Sequence, residues 1–121
     1  MNPTKEFDII VWGASGFTGR LVAAYLFKQY GVQGDLKWAM AGRNQEKLAA
    51  VRAEVADSSV PIVVADSNDA ASLASMVGRA NVICSTVGPY ARYGTPLVEA
   101  CSAAGTHYCD LTGEVPWMMR V

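Results

Sequence analysis

The sequence predicts an α/β fold, a doubly wound parallel sheet of strand order 3-2-1-4-5, and three observations carry that prediction. Five short apolar runs recur along the 121 residues: Phe7–Trp12, Leu36–Ala41, Pro61–Ala65, Asn81–Val87 and Thr106–Leu111. A single stretch with helical apolar spacing fills each gap between them, the alternation expected of βαβ units. The first gap opens on Gly13-Ala14-Ser15-Gly16-Phe17-Thr18-Gly19, glycines at three-residue intervals directly after an apolar strand.

The first run, Phe-Asp-Ile-Ile-Val-Trp, is near-continuously apolar, as parallel strands buried on both faces are. A helix is predicted from Phe17 to Tyr30, with Phe17, Leu21, Ala24 and Leu26 facing the sheet and Gly31 and Gly34 ending it. Asn44 is a good N-cap for a second helix through Leu48, Val51, Arg52 and Val55. The third helix is expected over Asp69–Val77, with Leu73, Met76 and Val77 on one side. Gly88-Pro89-Tyr90 breaks the fourth strand sharply, and Thr95-Pro96 suits a helix start because proline fits the first helical position. That last helix is expected to send Leu97, Val98 and Cys101 to the core and to stop before Gly105.

Composition narrows the function classes. The length suits one domain, and 51% hydrophobic against 17% charged residues fits strands covered on both faces. A net charge of -1 offers no electrostatic basis for nucleic-acid binding. No apolar stretch approaches the ~20 residues of a membrane span, and the N-terminus carries no signal-peptide core, so a cytoplasmic protein is expected. Cys84, Cys101 and Cys109 form no C-x-x-C pair and are expected to be reduced, buried thiols; with a single histidine, no metal site is expected.

The glycine turn has the form of a dinucleotide-binding βα turn. Gly13 permits the sharp exit from the strand, Gly16 leaves room for a pyrophosphate, and Gly19 lets helix and strand pack closely. The helix then begins with free N–H groups and a positive dipole end, beside Ser15, Phe17 and Thr18. After the second strand, the acidic residue that would hold an adenosine ribose is replaced by Gly42-Arg43-Asn44. A guanidinium there suits a 2′-phosphate, which predicts NADP(H) over NAD(H). Asp66, after the third strand, either approaches the adenine or caps the helix beginning near Asp69. Ser85, Thr86, Val87, Gly88, Pro89 and Tyr90 border the crevice between strands 1 and 4 and are the expected contacts of the inner phosphate and nicotinamide ribose. Asp110 to Glu114 would lie near the nicotinamide end, where turn or capping duty is the plainer reading. His107 sits at the far end of its strand, away from the crevice. No tyrosine is followed four residues on by lysine, which excludes the short-chain dehydrogenase pair.

Four segments together resemble the saccharopine dehydrogenase-like oxidoreductases, a group that includes saccharopine reductase domains and bacterial trans-acting enoyl reductases. They are Val11 to Gly19, Ala41-Gly42-Arg43, Thr86 to Tyr90, and Tyr108 to Glu114. The resemblance implies that residues 1–121 are an N-terminal NAD(P)-binding Rossmann domain of a longer two-domain enzyme. It implies further that hydride passes to or from a carbonyl, imine or activated alkene held with the help of a C-terminal domain. Catalytic residues and substrate stay unassigned, this part alone is expected to be inactive, and homo-oligomerisation is compatible with it. Two rivals remain: a non-catalytic NADP(H)-sensing module similar to NmrA-type regulators, and a reductase similar to the aspartate-semialdehyde type.

Overall fold

The computed structural model describes residues 5–32, 34–87 and 90–110, with side chains throughout except at 90–93. The element order is β1 (Phe7–Trp12), α1 (Phe17–Tyr30), β2 (Trp38–Gly42), α2 (Gln45–Val55), β3 (Ile62–Val64), α3 (Ala70–Gly78), β4 (Ala80–Ser85), α4 (Tyr90–Ala104) and β5 (His107–Asp110). The sheet runs β3-β2-β1-β4-β5 with every neighbouring pair parallel, as the sequence predicts. Strand β1 is central. Its Val11 stands opposite Met40 of β2 on one side and Cys84 of β4 on the other. Reversal of strand order on the two sides of β1 is what opens a crevice at the carboxyl edge.

Alternation along β1 divides the core. Val11 faces α1 and α2, where it joins Ala23, Leu26, Met40 and Leu48. Ile10 and Trp12 face α3 and α4, with Leu73, Met76, Ile83 and Leu97. Each large side chain buried this way contributes roughly 1.5–3 kcal/mol of transfer free energy, and both layers are needed because β1 exposes neither face.

Helix α1 departs from expectation. Its buried stripe is Gly19, Ala23 and Leu26, whereas Phe17 and Leu21 are 80% and 56% exposed. The small residues win because the axis lies close to the strand. A Cβ on Gly19 would collide with the backbone of Gly13 and Ala14, so only glycine permits this approach. Two hydrogen bonds fix the flanks: Trp38 Nε1 donates to Gly31 O at 2.7 Å, and Arg20 Nη1 meets Glu54 Oε2 of α2 at 3.4 Å.

Helix α4 begins at Tyr90, five residues before the expected Thr95-Pro96 start, and Pro96 lies inside it. A proline there has no N–H to donate one turn back, a local loss tolerated while Leu97 and Cys101 remain buried against β4 and α3. Val98 is only half-buried. Strand bounds differ from expectation by up to two residues. Thr106 precedes β5 as a buried brace, its hydroxyl donating to Val77 O at 2.7 Å. Of the three cysteines only Cys101 is buried; Cys84 is half-buried and Cys109 exposed, which corrects the expectation of buried thiols. Among the described residues no helix is long and apolar enough to cross a membrane.

Candidate functional site

The carboxyl ends of β1, β2, β3 and β4 surround a cleft of about 400 Å³. From β1 and the turn after it come Trp12, Gly13, Ser15 and Gly16; from β2, Gly42 and Arg43. The loop after β3 supplies Asp66, Ser67 and Asn68, and the end of β4 supplies Thr86 and Val87.

The glycine turn is held from both neighbouring strands. Gly13 N and Ala14 N donate to Ala41 O at the end of β2, at 2.9 and 3.1 Å. Thr86 N donates to Trp12 O at 3.0 Å, and the Thr86 hydroxyl donates to the same oxygen at 2.9 Å. Gly13 has φ +85°, and a Cβ there would press into Val87 and the Thr86 hydroxyl. Glycine is therefore required twice over at this position. Gly16 differs: among the described residues a Cβ would meet nothing nearer than Gly13 O at 3.4 Å. Internal packing does not demand a glycine at 16, so the bareness of that surface serves the cleft.

The three helices whose first turns are described in full differ at their N-termini. Asn44 Oδ1 accepts from Lys47 N at 3.1 Å to cap α2, and Asp69 Oδ1 accepts from Ala71 N and Ser72 N to cap α3. Helix α1 has Gly16 as its N-cap and receives no side-chain cap. Its first-turn donors, at the cleft, are left to whatever enters. Among the described residues the indole Nε1 of Trp12 is also buried without a partner, and Trp12 is one of the residues that line the cleft. An unmet buried N–H costs about 1–3 kcal/mol and is relieved by an acceptor. Open backbone donors, an exposed Arg43 guanidinium and glycine-lined space together fit a dinucleotide carrying phosphates.

Not every expected site residue reaches the cleft. Gly13, Ser15, Gly16, Arg43, Asp66, Thr86 and Val87 line it. Gly19 lies beneath, packed on the turn, while Phe17 and Thr18 form the first turn of α1. Asn44 is not in the lining, its carbonyl oxygen being engaged as the α2 cap. Ser85 is fully buried, accepts from Val87 N at 3.4 Å, and is not in the lining either. Asp66 does not cap α3. Its Oδ1 accepts from Asn68 N at 2.9 Å, shaping the loop that rims the cleft. Gly88, Pro89, the Tyr90 side chain and Leu111 to Glu114 lie outside the described residues. Asp110 accepts from the Tyr108 hydroxyl at 2.6 Å, and His107 is exposed at the opposite end of its strand.

Sequence reasoning passed over Trp12, Ser67 and Asn68, and noted Gly42 only beside Arg43 without giving it a place in the site. The rule that ligands gather at carboxyl strand ends, applied to every residue there, would have found all four.

Comparison with known proteins bears on the family and the fold. A family model described as the saccharopine dehydrogenase NADP binding domain matches residues 9–119. A Mycobacterium tuberculosis protein named putative trans-acting enoyl reductase is 49% identical over 118 residues, covering 96% of this chain and 27% of its own length. The chain thus spans about a quarter of that curated relative. Saccharopine dehydrogenase (L-Glu forming) from Saccharomyces cerevisiae superposes with a TM-score of 0.73 at 18% identity, over 94% of this chain and 23% of that one. Triphenylmethane reductase from Citrobacter sp., solved with NADP(H), gives 0.70 at 24% identity, over 85% and 36%. These structures share the fold. By the match over residues 9–119, the chain belongs to the saccharopine dehydrogenase NADP-binding domain family.

Proposed function

We propose that this chain is the NADP(H)-holding part of a longer, two-domain, cytoplasmic reductase, whose substrate site is completed by a further domain. The carrying observation is the convergence on one cleft of the uncapped α1 N-terminus, the bare surface of Gly16 and the Arg43 guanidinium. In this reading the first-turn N–H groups of α1 and the Ser15 hydroxyl hold the diphosphate. Arg43 pairs with the 2′-phosphate, and Asp66, Ser67 and Asn68 form the wall on the adenosine side. Thr86 keeps the floor rigid by bridging β4 to β1, and Val87 lines the side toward the crevice between them.

NADPH bound there supplies a hydride to an electrophilic carbon. The names of the mycobacterial relatives favour an activated alkene among the carbonyl, imine and alkene acceptors open to such chemistry. This chain's part is to bind and orient, removing translational freedom before the chemical step. The NADP(H)-sensor alternative has no separate observation in its favour. Titration of the protein with NADPH and NADH by calorimetry tests the reading: NADPH is expected to bind at least about tenfold more tightly. Equal or tighter binding of NADH overturns it.

A further inference from the structure

Cys84 of β4 and Cys109 of β5 stand directly opposite each other in the parallel ladder. Their face of the sheet follows from their neighbours. Ile83 and Tyr108 pack into the cluster under α3 and α4, so the alternation of a strand sends Cys84 and Cys109 together to the other face. There the cluster under α1 and α2 draws its strand residues from β1, β2 and β3 and includes none from β4 or β5. The result is a pair of thiols on a part of the sheet those helices leave uncovered, one half-buried and one exposed.

Adjacent strands lie about 4.8 Å apart, inside the Cα separation of roughly 4.4–6.8 Å that a disulfide spans. Among the described residues, β5 is a four-residue strand that pairs with β4 alone. The thiols already sense each other. Burial first, then the Cys109 thiol and its hydrogen bond, then Asp110, push Cys84 up to about 11. Cys101 differs: it lies on α4, buried against the opposite face of the sheet, and is raised to about 11 by burial alone.

We propose that Cys84 and Cys109 are a reversible redox pair that closes a disulfide across β4 and β5 in response to an oxidant of the peroxide class. The exposed Cys109 meets the oxidant. Its thiolate attacks one peroxide oxygen, the O–O bond breaks, and one water leaves with a sulfenic acid on Cys109. Cys84 sulfur then displaces that hydroxyl, the S–S bond forms, and a second water leaves with the Cys84 proton. Two thiols lose two electrons and two protons, and the peroxide gains both; a dithiol reverses the step.

The crosslink has a path to the cleft. Cys84 is followed by Ser85, opposite Asp110, and then by Thr86, which braces the glycine turn through Trp12 O. A shift of β5 against β4 at this row is therefore expected to weaken NADP(H) binding about tenfold. That consequence rests on the function proposed above; the disulfide does not.

The protein at its natural length, treated with hydrogen peroxide and then alkylated, is mapped by mass spectrometry and titrated with NADPH. The expected result is a linked Cys84–Cys109 peptide lighter by two hydrogens, an alkylated Cys101, and restoration of both thiols and of affinity by dithiothreitol. In Cys84→Ser, Cys109 is expected to stop as a dimedone-trapped sulfenic acid; in Cys109→Ser, Cys84 is expected to stay reduced. Recovery of both wild-type thiols after peroxide, or pairing of Cys109 only between molecules, overturns the proposal. A disulfide that forms with no loss of affinity overturns the coupling to the cleft. Failure of the reduced protein to bind NADPH refutes the cofactor reading instead, and leaves the mapping result to decide the pair.

Discussion

The Thr86 hydroxyl donates to Trp12 O at 2.9 Å and lies 3.2 Å from Gly13 O, joining the end of β4 to the turn that leaves β1. Backbone pairing alone would align the two strands; this side chain also fixes how the turn sits against the crevice. Thr86→Val removes the donor with little change of volume. Loss of about 1 kcal/mol in urea unfolding is expected, together with weaker NADPH binding. Unchanged binding would show that the turn is positioned without it.

Two glycines in the same turn separate folding from ligand access. Gly19→Ala drives a methyl group into the Gly13 and Ala14 backbone, where no flexible side chain can yield. The cost is expected at the upper end of overpacking, about 3 kcal/mol, seen as a loss of cooperative unfolding or a much lower Tm. Gly16→Ala meets nothing nearer than 3.4 Å among the described residues. Its stability is expected to change by less than about 1 kcal/mol while NADPH affinity drops by about tenfold or more.

Arg43 decides between cofactors in the proposed function. Arg43→Ala is expected to weaken NADPH by about ten- to a hundredfold, the range of a charge-assisted bond, and to leave NADH within about threefold. The NADPH loss should shrink as salt rises, because the removed contact is ionic and near the surface. Parallel isotherms at two ionic strengths are the check.

Glu6 and Arg79 tie the start of β1 to the end of α3 by hydrogen bonds of 3.0 and 2.7 Å. Arg79 also lies 5.4 Å from the centroid of the Phe7 ring. The hydrogen bond from Arg79 holds the Glu6 carboxyl below its ordinary 4.5, slight burial opposing and the Arg79 charge adding. A lowered carboxylate value stabilises above the unfolded pKa, and that stabilisation is lost as pH falls through the folded one. Glu6→Gln should therefore be less stable than wild type at neutral pH by a small margin, both side chains being about half exposed, and the difference should vanish as pH drops well below 4.5. Thermal scans from pH 7 to 3 measure it.

The sheet was legible because β1, β2 and β4 are buried along much of their length and read as continuous apolar runs, and because single helices between parallel strands allow few topologies. The buried face of α1 was not. Apolarity pointed to Phe17 and Leu21, but the distance to the sheet is set by Gly19, and small residues carry no such mark in a hydrophobic pattern. The start of α4 was misplaced because proline at a first turn is a preference that packing overrides. In the cleft, Arg43 and the glycines announced themselves by type. Ser67 and Asn68 are ordinary loop residues until β3 is set beside β2, and Ser85 is drawn into burial by packing that composition does not record; Asn44 was legible as the α2 cap, and that role takes its side chain out of the cleft lining.

The brace between Thr86 and Trp12 spans 74 residues of sequence. Strand β1 waits for β4 to fill its second side, so during synthesis from the N-terminus the crevice lacks its β4 wall until residue 87 has emerged. The first half of the sheet must persist, or stay open, through that interval with one flank of β1 unpaired. Such long-range parallel pairing is slow to form and exposes an apolar edge meanwhile. A small molecule that needs both walls can bind only after that closure, so it would draw nascent chains toward the finished topology by mass action and disregard those still on the way.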